Sequence, residues 1–148
     1  MTATEYFDKL PRLLMRFQYI EEVLKMYIHT ADLAIHVKMK GLLHYEVPGK
    51  ELWKQPLGSL IREFNKRTDK KDIVAILKEL VEDRNFFAHE GYLLTIEQQK
   101  GKEDISELLG RLDATRQKAG ECLKSLIKEA SRIRGEKISE ELLDQFTA

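Results

Sequence analysis

The chain has little of what would interrupt a helical fold or place it outside the cell. One cysteine, Cys122, stands among 148 residues. That excludes an intramolecular disulfide and fits a reducing compartment. Three prolines and eight glycines leave room for long regular elements. No apolar run approaches the roughly 20 residues that span a bilayer, so no membrane role is expected. Met1 to Lys9 carries acidic residues and lacks the basic start and apolar middle of a signal peptide, so a cytoplasmic location is expected. Net charge is absent too, with 25 basic and 25 acidic residues. A generic nucleic-acid coat would carry a basic surplus, although a local cluster can still bind phosphate when the sum is zero. There is no glycine-rich phosphate loop, nucleophile elbow, paired-cysteine zinc pattern, internal repeat or low-complexity tract.

What is present is helical periodicity. Leu10, Leu14, Phe17, Leu24, Ile28, Ala31 and Ile35 recur every three or four residues, flanked by Leu13, Ile20, Tyr27 and Ala34. This predicts one amphipathic helix from about Thr4 to Met39, with Pro11 marking its first turn or a kink. Glu21 occupies the one interrupted position of the stripe. Gly41 to Pro56 reads as a loop pinned by Leu52 and Trp53, and a short helix follows from Leu57 to about Arg67. A third helix runs from Asp69 or Lys71 to His89 or Glu90, with Gly91 as the left-handed residue past its end. Tyr92 to Ile96 is ambiguous and Gln98 to Glu103 reads as a loop. Asp104 or Ser106 caps a long helix to Arg134, roughly 45 Å in length, expected to lie antiparallel to the first. Gly135 ends it, and a short helix from Ser139 to Phe146 closes the chain. The expected architecture is all-α: a single-domain antiparallel bundle of four to five helices over 1–148, its core from about 4 to 135.

The chemistry is concentrated at the end of the third helix, in Arg84-Asn85-Phe86-Phe87-Ala88-His89. Asn85 and His89 are four apart and share a face. Arg84 falls on the apolar line through Leu77, Leu80 and Phe87, where a guanidinium must snorkel, pair or enter an interface. His89 lies in the last turn, where the helix dipole favours a cation. Such a group can bind phosphate bidentately through arginine and move a proton through histidine. The alternative is structural, with Arg84 buried against Glu21 or another acid and His89 closing the helix.

Residues 84–89 match the arginine, four-residue gap, histidine signature of HEPN domains in its arginine-asparagine form. The apolar approach, Leu77 to Asp83, is similar too. Pro56-Leu57-Gly58-Ser59-Leu60 resembles the segment before the motif helix in some prokaryotic members. The resemblance implies a small helical bundle that pairs as a homodimer and brings two motifs into one cleft. Many such proteins are metal-independent endoribonucleases of toxin–antitoxin and phage-defence systems, and need no cofactor. Arg84 would hold the scissile phosphate, Asn85 would orient groups in the cleft, and His89 would act as acid or base. The RNA's own 2′-hydroxyl would attack, leaving a 2′,3′-cyclic phosphate. Some toxin members carry a tyrosine two residues after the histidine, modified by a cognate antitoxin protein. Here Tyr92 is three residues beyond His89, a departure from that regulatory route. Other members serve as non-catalytic dimeric interaction or nucleotide-binding modules.

Four further features carry less. Glu21 is placed to face Arg84 across the bundle, or to edge out to solvent. Arg62, Lys66 and Arg67, with Lys70 and Lys71, form a basic run suited to RNA phosphates, though three acids are interleaved with it. His29, Asp32 and His36 can share a helix face as metal ligands do, but no fourth ligand is evident. Cys122 falls on the apolar stripe of the long helix and reads as core.

Overall fold

The computed structural model describes residues 2–91, 105–135 and 140–145, and every regular element among them is helical. Helix α1 spans Thr2–Met39. A 3-10 turn, Lys50–Lys54, interrupts the following loop. Helices α2 (Leu57–Asn65), α3 (Lys71–His89), α4 (Ile105–Arg134) and the short α5 (Glu140–Asp144) complete the order. Gly41 (φ 86°) and Gly135 (φ 78°) take the left-handed conformation just past the ends of α1 and α4, which frees the chain to turn without a Cβ clash. Pro11 lies inside α1, on its exposed face.

One continuous apolar core joins α1 to α4. Tyr6, Leu10, Leu13, Phe17, Ile20, Leu24 and Ile28 of α1 meet Leu60 and Phe64 of α2, Leu77, Leu80 and Phe87 of α3, and Leu112, Leu123 and Leu126 of α4. Each fully buried side chain of this kind contributes about 1.5–3 kcal/mol of transfer free energy. The α1 stripe is buried only as far as Ile28; Ala31 and Ile35 are half-buried and Ala34 is exposed. Cys122 is buried in this core, and burial pushes its thiol up to about 12.

Helix directions follow from contacts at matched levels. Tyr6 Oη donates to the Gly91 carbonyl at 3.1 Å, and Leu14 and Phe17 share a groove with Arg84 and Ala88. α3 is therefore antiparallel to α1. Asp83 meets Arg111 and Lys118, and Glu79 meets Lys118, so α4 is antiparallel to α3. It follows that α4 is parallel to α1, and direct contacts agree: Lys9 pairs with Asp113 at 3.1 Å, and Arg134 donates to Thr30 at 3.4 Å. The expected antiparallel pairing of the two longest helices is thus corrected. α3 already supplies the return pass, so the chain re-enters at the level where α1 began. Lys128 pairs with Glu140 and Lys124 with Asp144, folding α5 back along α4.

Two local expectations are also corrected. Gly91 is not left-handed. It is buried, and a Cβ there would come 3.1 Å from Tyr6 Oη and 3.5 Å from Leu10, so its bareness serves close packing of α1. Leu52 pins the loop from the inside, but Trp53 is about half exposed, with the Lys25 ammonium 5.8 Å from its ring. Tyr92 to Ile96, Gln98 to Glu103, the cap at Asp104, and the ends of the last helix at Ser139 and Phe146 lie outside the described residues.

Candidate functional site

The Arg84–His89 segment is held by its two aromatic residues. Phe87 is fully buried and meets Phe86 edge-on at 5.0 Å. Phe86 lies beneath the Arg111 guanidinium, 3.7 Å from ring centroid to carbon, at a distance suited to cation–π attraction. Arg111 also reaches Asp83 at 3.7 Å. The last turns of α3 are thereby fixed to α4, which sets the directions of Arg84, Asn85 and His89.

Arg84 is half-buried and carries no ion pair among the described residues; its Nη1 donates to Asn85 Oδ1 at 3.3 Å. It stands on a ridge between two grooves. One is lined by Gly58, Ser59 and Arg62 of α2 with Val81 and Asn85 of α3, and includes no carboxylate among the described residues. The other is lined by Leu14, Phe17, Gln18 and Glu21 of α1 with Ala88. Glu21 shares that second groove with Arg84 but does not pair with it. Asn85 and His89 are exposed. His89 lies five positions after Arg84, which sets them about 140° apart around the helix. The three side chains therefore spread over an arc, with Asn85 between, instead of converging on one point within a single chain. Tyr92 lies outside the described residues.

The basic run divides. Arg62 donates to Ser59 Oγ at 3.0 Å and faces the acid-free groove beside Arg84. Lys66 is exposed and pairs with Glu63 at 3.2 Å. Arg67 turns inward. Its Nε and Nη2 donate to the two oxygens of Asp32 at 2.8 and 3.2 Å, and its Nη1 donates to the Glu63 carbonyl and carboxylate at 2.7 and 2.8 Å. Burial pulls this guanidinium's pKa down, and the bonds to Asp32 and Glu63 more than offset it, leaving a net rise. Arg67 is thus engaged within the bundle, whereas Arg62 and Lys66 remain exposed.

The same network dissolves the histidine–aspartate face. Asp32 is fully buried, accepts from Tyr45 Oη at 2.7 Å as well as from Arg67, and fastens the loop after α1 to α2. His36 Nδ1 lies 2.9 Å from the Tyr45 carbonyl, and His29 is exposed. Sequence reasoning placed Asp32 and Arg67 in two different surface sites and missed their pairing. The available signal was position: Asp32 lies one turn beyond Ile28, at the edge of the apolar stripe.

Elsewhere, Arg16, Asp113, Arg116, Gln117 and Glu121 line a shallow cleft between α1 and α4, where acids accompany the arginines. None of the described helices is long and apolar enough to cross a membrane. Comparison with known protein families, characterised proteins and solved structures returned no match.

Proposed function

We propose that this chain is a HEPN-type, metal-independent endoribonuclease acting as a homodimer, in the manner of toxin or phage-defence effectors. The observation that carries this reading is the state of Arg84: a half-buried guanidinium with no acid partner among the described residues, opening onto an acid-free groove shared with Arg62 and Ser59. A guanidinium so held is available to a phosphodiester. Arg84 would stabilise charge developing on the phosphoryl oxygens, with Asn85 fixing its orientation. The RNA 2′-hydroxyl would attack phosphorus and the bond to the 5′-oxygen would break, giving a 2′,3′-cyclic phosphate and a 5′-hydroxyl. His89 would move the proton from the 2′-oxygen or to the leaving oxygen. The arc between Arg84 and His89 favours a dimeric cleft, in which the second copy's motif supplies what one chain holds apart. A non-catalytic dimerisation or nucleotide-binding module is the competing reading. It calls for a neutralised Arg84 and a sealed His89, and the exposure of His89 runs against it.

RNA cleavage by the wild-type chain beside Arg84→Ala and His89→Ala, with a chelator throughout, tests the proposal. Cleavage by wild type alone, leaving cyclic phosphate ends, is expected. Absence of cleavage by a confirmed dimer over varied RNAs would leave the non-catalytic reading in its place.

A further inference from the structure

The outer face of α1 carries a second apolar stripe that faces away from the core. Its members are Met15, Tyr19, Met26, Leu33 and Val37, between 42% and 69% exposed. Their intervals are four, seven, seven and four residues, so the pattern reads the same in both directions about Met26. All five fall within about 40° of one line along the helix, roughly opposite the buried stripe through Leu10, Phe17 and Leu24. By contrast, no large hydrophobic residue is notably exposed on the described α4.

We infer that this face binds a second copy of the same chain, α1 against α1, antiparallel about a two-fold axis at Met26. An isologous contact demands a self-complementary surface, and a palindromic stripe is one. In this register Met26 meets Met26, Tyr19 meets Leu33 and Met15 meets Val37. Glu22, which borders the stripe and pairs with Lys25 at 3.1 Å, comes within about one residue of the level of His29 of the second copy on the same side of the seam, placing a carboxylate near an imidazole. A parallel pairing would instead put Glu22 level with Glu22 and His29 level with His29. From Met15 to Val37 the stripe runs about 33 Å at 1.5 Å per residue; Leu42 and Leu43, both largely exposed, lie in the turn past the helix end. With helices about 12 Å across, the pair covers on the order of 800 Å², in the range of weak, transient association, which sets an expectation of micromolar or weaker self-association. This contact stands on α1 alone and is independent of the ribonuclease reading. It leaves the Arg84–His89 end of α3 uncovered, so the two interfaces can coexist in one assembly.

Cysteine cross-linking of the full chain tests both the partner and the direction, because native Cys122 is buried. Under mild oxidation, Met26→Cys is expected to form a covalent dimer, whereas Leu33→Cys alone forms no covalent dimer. Leu33→Cys mixed with Tyr19→Cys is expected to give the heterodimer. Self-linking of Leu33→Cys as fast as Met26→Cys would overturn the antiparallel arrangement. Failure of Met26→Cys to link well above micromolar concentration would overturn the contact altogether. Met26→Glu, which places two carboxylates on the axis, is expected to weaken self-association through this face by roughly 100-fold in sedimentation equilibrium. An unchanged association constant would refute the inference.

Discussion

Replacing Arg67 with methionine isolates the charged cluster built on Asp32, the most deeply buried charged side chain among the described residues. Methionine keeps the length of the stem and removes the guanidinium. Asp32, whose side chain is 1% exposed, then loses both bonds from Arg67 and keeps only that from Tyr45. Breaking a buried pair from one side costs about 3–5 kcal/mol, because the remaining charge is stranded in a poor solvent. For a domain of this size each kcal/mol moves the melting midpoint by about 2–4 °C, so a fall of roughly 6–20 °C is expected by circular dichroism. Urea titration should show the same loss with the slope preserved. The double variant Asp32→Leu, Arg67→Met should recover most of it, since apolar replacement of a buried pair is often near neutral. Acid titration gives a second readout. The Glu63 carboxyl is held below its usual range, chiefly by the bond from Arg67. Its contribution is therefore present above the unfolded value, near pH 4.3, and is lost as pH falls through the lower folded value. Arg67→Met should flatten that acid limb. A loss below about 1 kcal/mol would show Asp32 and Arg67 behaving like an exposed ion pair and would refute the buried-network account.

Two further outcomes follow from the same geometry. Arg84→Ala and His89→Ala should change folding stability by no more than about 1 kcal/mol, since neither side chain has an ion-pair partner among the described residues; a larger loss in urea titration would assign them a structural role. Cys122 should resist thiol reagents near pH 8 until the chain unfolds; its folded value of about 12 exceeds an unfolded value near 8.5, so stability should fall as pH rises through that interval. Rapid labelling of the native chain would contradict its burial.

Periodicity alone was enough for the helices themselves. The spacing of Leu10, Phe17, Leu24 and Ile28 fixes one face of α1, and that of Leu112, Leu123 and Leu126 does the same for α4, because a 3.6-residue repeat leaves few other ways to bury those side chains. The Arg84–His89 motif and its place at a helix end were legible for the same reason. Helix direction was not legible, since an amphipathic stripe is equally satisfied by a parallel or an antiparallel neighbour. Only the number of passes made by the intervening chain decides it, and that number set α4 parallel to α1. Nor could sequence distinguish Arg67 from Arg62. Both are basic residues near the end of α2, yet one finds the buried Asp32 and the other opens beside Arg84. The choice depends on which faces α1 and α2 turn toward each other, a tertiary fact that converts one arginine into a fastening for the loop and leaves the other facing the candidate site.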